Sequence, residues 1–335
     1  MTIYVLKRIA AMVPTWIGIT LLVFLMIHLV PGDPAQIMLG ERASAETVAA
    51  LRSELGLDRP LHVQIWRFFG DLLSGDLGRS LRTKEKITTE LAQRFPATCE
   101  LTFFAMLLAI FGGVGAGTLA AVRRGRFIDL FTMVGATAGI SMPIFWLALM
   151  LILFLGVLLP IFPLSGRLDT QNYLQPITHF YILDAVISGD FRALKDVLWH
   201  LVLPALSLCT IPLAVIARIT RASLLEVLGA DYIRTAWAKG LGERAVILRH
   251  AFKNAAIPTL TIIALEFGYL LGGAIITETI FSWPGLGRWL FLAVQARDFR
   301  AVQGGVLLLA TVFMVVNLIA DILYVWFDPR IRYDE

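Results

Sequence analysis

The sequence predicts an all-α integral membrane protein: six transmembrane helices, a helical insert on the outer side and a structured cytoplasmic loop. Three observations predict it. Of the 335 residues, 58% are hydrophobic and 16% charged, and mean hydropathy is +0.76. Six apolar runs are each long enough to span a bilayer, which takes roughly 20 residues as helix. Basic residues gather in short connections on one side.

The composition sets the solvent. A soluble domain is roughly 25% charged, and a water-facing globule cannot hide this much apolar surface, so lipid must take its place. Cys99 and Cys209 lie far apart in or beside apolar runs and read as small hydrophobes. The histidines (His28, His62, His179, His200, His250) are scattered without HExxH or paired spacing, so no metal site is read.

The runs are about 9–30, 99–122, 130–159, 201–219, 257–280 and 302–325. The first follows Lys7 and Arg8 but is too long for an ordinary signal segment and lacks a small-x-small cleavage site, so it is expected to be a retained anchor. The third exceeds one bilayer thickness; Pro143, in Gly139-Ile140-Ser141-Met142-Pro143, is expected to kink it.

Orientation follows from the connections. The turn after the second run carries Arg123, Arg124 and Arg126, and the loop 220–256 carries Arg221, Arg234, Lys239, Arg244, Arg249 and Lys253. Positive loops stay inside. Both are therefore read as cytoplasmic, as are both termini, in keeping with Lys7, Arg8, Arg330 and Arg332. Segments 31–98, 160–200 and 281–301 fall outside. The first opens with Pro31-Gly32-Asp33-Pro34, which stops a helix and turns the chain. Behind it, Ala45–Leu55 and Leu61–Leu73 read as short helices with apolar faces on the membrane surface or the bundle. No internal repeat or low-complexity stretch is found.

No GxxxxGK[ST] loop, GxGxxG after a strand or GxSxG elbow occurs. The chain has no ATP site of a known type and no catalytic residues, and if ATP drives it another chain must hydrolyse the ATP. The informative stretch is the cytoplasmic loop. Asp231 is a plausible N-cap for a short helix ending at Gly240, where glycine takes a left-handed cap. A second helix follows, with Ile247, Leu248, Ala251, Phe252 and Ala255 as an apolar stripe. Such a helical pair fits either the lipid headgroups or a cytosolic partner.

Those residues carry a resemblance. The loop resembles the EAA loop of ATP-binding-cassette (ABC) importer permeases, with consensus Glu-Ala-Ala, then Gly, then Ile-x-Leu-Pro. Ala236 stands at the second Ala, Gly240 at the Gly and Phe252 at the Leu; Arg234 and Thr235 replace Glu and the first Ala, His250 replaces Ile and Lys253 replaces Pro. That variant is similar to the dipeptide, oligopeptide and nickel branch, and most of all to the first permease subunits of dipeptide importers. Trp237 stands where the branch often has Arg. Further signatures are Gly75-Asp76-Leu77-Gly78 with Ser80, Met142-Pro143-Ile144-Phe145-Trp146, the run Glu278–Trp289 and Asp328-Pro329-Arg330.

The resemblance implies a type I ABC importer permease fold in a bacterial inner membrane. It implies a second homologous permease subunit, two cytosolic ATPase subunits, a periplasmic solute-binding protein and a peptide substrate, with no cofactor on this chain and no nucleic acid. Its coupling residues would be Arg234, Thr235, Ala236, Lys239, Gly240, Leu241, Arg244 and His250.

Within the fifth run, Glu266 lies near mid-membrane, where an Asp costs on the order of 2.5–3.5 kcal/mol. It either lines the pathway and attracts a peptide ammonium, or packs protonated or hydrogen-bonded against a sister subunit. Gly268, Gly272 and Gly273 read as helix-packing positions, with Gly272 also a pathway candidate. Glu278 is placed at the outer turn, within reach of water, as a gate or a cap. Asn317 and Asp321 read as interhelical hydrogen-bonding groups of the last span. Two other classes were weighed: a self-sufficient secondary transporter or channel using Glu266, and a membrane enzyme, which the lack of paired catalytic residues disfavours.

Overall fold

The computed structural model describes residues 2–29, 32–40 and 43–327. Pro31 and the Asp328-Pro329-Arg330 signature, with the C-terminal arginines, lie outside these. Among the described residues, four helices are long and apolar enough to cross a membrane: Val5–Leu29, Ile87–Val122, Phe191–Leu228 and Phe299–Ile322. Two bent pairs bring the total to six if each pair is one span. The six-span expectation holds on that count.

The chain forms two compact units: 1–97 with 284–315, and 98–283 with 316–335. In the first, α1 (Thr2–Leu29) is followed by α2 (Pro34–Leu39), α3 (Ala45–Leu55) and α4 (Leu61–Leu73). Asp33 caps α2 by accepting from the Ala35 N–H, Pro34 opens that helix, and Ser44 caps α3 by accepting from the Thr47 N–H. The two predicted insert helices, α3 and α4, have the expected bounds. α4 packs along α1 through Trp16–Phe69 and Phe24–Phe68 ring contacts and a His28–Gln64 hydrogen bond of 3.1 Å. α13 (Leu286–Gln295) and the start of α14 (Phe299–Phe327) complete a core with Ile87, Leu91, Leu286, Trp289 and Leu290. Buried Asp298 ties it: its carboxylate accepts from Ser80 Oγ at 2.6 Å and from the Ala301 N–H at 3.2 Å.

The second unit is built on α5 (Ile87–Val122), α9 (Phe191–Leu228) and α12 (Phe252–Ile280). α6 (Phe127–Ser141) and α7 (Ile144–Leu151), which continues as a π-helix over Ile152–Leu158, meet at 105°. The break falls at Met142-Pro143, as the proline predicts. α8 (Tyr181–Ile187) precedes α9. α9 has 38 residues, roughly 57 Å of helix against a hydrocarbon layer of about 30 Å. It therefore overruns the apolar run 201–219 at both ends, because a helix ends at its caps, not where its apolar residues stop. Asp190 supplies the N-cap, accepting from the Ala193 N–H at 2.9 Å.

Close helix approaches fall at Gly113 and Gly117, and not at Gly272. A Cβ at Gly113 would lie 2.8 Å from the Leu213 carbonyl oxygen, and one at Gly117 would lie 2.4 Å from that of Ala217. At Gly272 it would meet nothing within 4 Å. The α5–α9 contact is thus backbone-to-backbone, set by small residues one turn apart. Gly117→Leu is expected to destabilise the detergent-solubilised protein by about 2–3 kcal/mol through overpacking, read as a lower melting temperature, whereas Gly272→Ala should leave it unchanged.

Candidate functional site

α9 ends at Gly229, and α10 spans Asp231–Ala238. Asp231 is not the N-cap: Ala230 holds that position, with extended backbone, and no side chain caps the helix. Asp231 is instead the first helical residue, where its negative charge still favours the helix N-terminus. The far end matches expectation. Gly240 has φ +75°; its N–H donates to the Trp237 carbonyl at 2.9 Å and the Leu241 N–H to the Ala236 carbonyl at 3.4 Å. This pair of bonds is a Schellman motif, which needs a left-handed residue at the glycine position.

The second loop helix differs more. Glu243–Ala245 (α11) runs through a π-helical segment, Val246–Ala251, into α12, so the predicted separate helix is the beginning of the fifth span. Ile247, Ala251 and Ala255 are buried, but Leu248 is 65% exposed, so the stripe follows i, i+4 spacing and omits Leu248.

The buried face is occupied within the chain. Ile233 and Ala236 of α10 pack with Ala121, Leu224, Val246, Ala251 and Ala255, and Asn254 Nδ2 donates to Tyr232 Oη at 2.7 Å. Ala236 is therefore an anchor. The other face is free: Arg234, Thr235, Lys239, Gly240, Leu241 and Arg244 are exposed, as is Trp237, while His250 is half-buried. Among the described residues Arg234 pairs only with Asp231, at 3.4 Å, with its side chain 76% exposed. A basic, partly apolar surface is thus held rigidly.

A latch that the sequence reading missed braces the base of this loop. Arg221 grips Asp129 at both oxygens, Nε–Oδ1 2.6 Å and Nη2–Oδ2 2.8 Å. Asp129 Oδ2 also accepts from the Gly125 N–H at 3.0 Å. The arginine turn 123–126 is thereby tied to α9 just before α10. In the sequence Arg221 shows only as topogenic charge, since a partner 92 positions away leaves no sequence pattern.

At the other ends of these helices, buried Arg167 donates to Glu100, which also accepts from the Ile182 N–H at 2.9 Å. The guanidinium lies 3.8 Å from the centre of the Tyr181 ring and 5.5 Å from that of Trp283, a cation–π arrangement. This pair too gave no sequence signal. Glu278 corrects an expectation: it is 0% exposed and accepts from Thr98 Oγ1 at 2.5 Å, so it lies inside the unit, out of reach of water. The helix runs on to Ile280 and buries it. Glu266 is half-buried on α12, and among the described residues its Oε2 is enclosed without a hydrogen-bond partner. Gly272 is exposed on the same helix. Among the described residues no group of three or more His, Cys, Asp or Glu could hold a metal.

These features define a polytopic α-helical membrane protein with a rigidly mounted loop surface. The chain belongs to the family of binding-protein-dependent transport system inner membrane components, whose model matches residues 113–333; the model of the N-terminal membrane component of such systems matches 1–102. It is 48% identical to the dipeptide transport system permease protein DppB of Alkalihalophilus pseudofirmus, over 99% of this chain and 100% of that one. It is 50% identical to DppB of Escherichia coli K12, over 99% of each chain. It is 41% identical to the glutathione transport system permease protein GsiC of Salmonella paratyphi A, over 98% and 99%. A solved structure of the inward-facing MetNI methionine ABC transporter shares the fold, with TM-score 0.50 at 15% identity, over 69% of this chain and 93% of that one.

Replacing Asp129 or Arg221 with alanine is expected to cost about 2 kcal/mol, because each leaves a charged partner unpaired. The double replacement should cost clearly less than the sum of the two. Thermal unfolding of the four variants in detergent measures the coupling.

Proposed function

We propose that this chain is one of two transmembrane subunits of an ABC importer for dipeptides or short peptides, driven by separate ATPase subunits bound at the loop 229–242. The observation that carries the coupling role is the division of α10: Ile233 and Ala236 anchor it, while Arg234, Thr235, Trp237, Lys239 and Leu241 are offered outward. A loop meant only to rest on headgroups would turn its apolar side out to the lipid; this one turns it in. The peptide assignment rests on the likeness to DppB along the whole chain.

In this reading the loop and both termini face the cytoplasm, in an inner membrane, and a periplasmic binding protein delivers the peptide to the opposite side. Closure of two ATPases on ATP would move the paired loops, one from each permease subunit. The Asp129–Arg221 latch and the shared apolar cluster would carry that motion into α6, α9 and α12. The chain itself needs no cofactor for this. Residues Arg234, Thr235, Lys239, Gly240, Leu241, Arg244 and His250 act at or beside the contact, with Ala236 beneath it. Glu266 lines the pathway and faces the peptide's ammonium group, since a carboxylate oxygen enclosed without a hydrogen bond among the described residues needs a cation, a donor or a proton. Glu278, sealed against Thr98, holds the helix pair that frames the outer end.

Gly240→Leu tests the coupling. A side chain there meets open space, so the expected effect is backbone strain of about 1 kcal/mol at a left-handed position that tilts the exposed face. Uptake of labelled dipeptide by the assembled importer should fall at least roughly tenfold, out of proportion to that small destabilisation. Unchanged uptake refutes the loop's role. For the pathway, Glu266→Gln should raise the apparent KM for dipeptide, and unchanged uptake and affinity would remove Glu266 from it.

A further inference from the structure

The first unit contains a cleft of about 350 Å³ with no part in the coupling surface. It lies where α1 ends and α14 begins, beside α4, and Phe24, Ile27 and Leu307 line it together with charged side chains. The neutral polar groups in it are committed to the frame. His28 and Gln64 bond each other, Gln64 Nε2 also donates to the Arg59 carbonyl at 2.7 Å, and Gln303 donates to the Val23 carbonyl at 2.9 Å.

Asp76 is committed too, accepting from the Gly78 N–H at 2.8 Å, but four other charges are not. Among the described residues, no carboxylate pairs within 4.0 Å with Arg67 or Arg300, and no cation with Asp71 or Glu54, although all four line the cleft. Two glycines make room for the arginines. A Cβ on Gly78 (φ +77°) would lie 2.8 Å from Arg300 Nη1, and one on Gly56 (φ +69°) would lie 3.1 Å from Arg67 Nη1. Each guanidinium rests against bare backbone at a left-handed position that favours glycine.

The cleft also adjoins an exposed apolar face. On α4, Trp66 and Leu73 share one face and are 77% and 79% exposed, an anchoring pattern for a helix at the membrane interface. Arg67 and Asp71 share a neighbouring face at i, i+4. Two unpaired guanidinium groups, two unpaired carboxylates and an apolar wall at the ends of two helices match a molecule that carries an anion, a nearby ammonium and a hydrocarbon tail.

We propose that this cleft holds the headgroup of a zwitterionic phospholipid, its phosphate at Arg67 and Arg300 and its ammonium at Asp71 and Glu54. The assignment does not depend on the transported solute. A free short peptide shares the charge pattern but lacks the tail, and the test separates the two.

The transporter, assembled with its partners, is purified in nanodiscs of phosphatidylethanolamine and phosphatidylglycerol in equal parts, and tightly retained lipid is measured by native mass spectrometry. Phosphatidylethanolamine should be enriched. R67A/R300A should lower the retained lipid roughly tenfold, as expected for lost charge-assisted bonds to phosphate, and R67K/R300K should lower it less. D71N should abolish the preference for the ethanolamine headgroup. Equal retention of both lipids, or retention unchanged in R67A/R300A, overturns the proposal. Displacement of the bound lipid by excess dialanine also overturns it and assigns the cleft to the peptide.

Discussion

No water in the hydrocarbon layer is available to hydrogen-bond a peptide group. Each unsatisfied group there costs several kcal/mol, so a chain this apolar crosses as helix, and departures from helix need a local answer. The π-helical segments at Ile152–Leu158 and Val246–Ala251 keep the backbone bonded while shifting the register of the side chains. The proline break at Met142-Pro143 is the one abrupt change of direction between α6 and α7, at 105°. The rest of the architecture follows from long helices that must pack closely and from short connections that must be tied down.

Buried charge does the tying. Asp298 holds Ser80 and the start of α14, Glu100 holds Arg167 and α8, and Asp129 holds Arg221 and the arginine turn. In each case a carboxylate accepts several bonds from segments distant in sequence, so its desolvation is offset by geometry that also fixes a non-helical connection. Glu266 is the exception within the second unit, with one enclosed oxygen lacking a bond among the described residues. Thr277 Oγ1 on the same helix and Arg167 Nε are likewise enclosed without a bond among the described residues, but Glu266 alone of these three can carry a negative charge, which is the ground for proposing it on the peptide's path.

Much of this was legible because the constraint is one-dimensional. Apolar run length marked six candidate spans, Pro143 marked the break, and apolar faces marked α3 and α4 with their observed ends. Gly240 was readable as a left-handed cap because the helix before it is short and the pattern local. What escaped was three-dimensional. The glycines that matter for packing, Gly113 and Gly117, look no different in sequence from Gly272, which faces open space. Arg221 reads in the sequence only as a loop charge and Arg167 carries no signal at all, because their partners lie 92 and 67 positions away. Asp231 was misplaced by one residue because Ala230, with no capping side chain, starts the helix. Glu278 was misplaced because run length does not say which face of a helix end is covered.

Family membership makes the chain one membrane component of a larger transport system, and the loop geometry gives that statement a mechanical form. α10 is not a mobile arm but part of the same apolar cluster as the ends of α5, α9 and α12, so a push on its outer face is a push on three helices. The most direct measurement is purification of the chain from its native membrane in mild detergent, with mass spectrometry of the stoichiometric partners, for wild type and for a variant with Arg234, Trp237 and Lys239 replaced by alanine. The account predicts a second permease and ATPase subunits with the wild type, and retention of the permease partner with loss of the ATPases in the variant. A stable, folded chain recovered alone, or ATPases held equally by the variant, would contradict it.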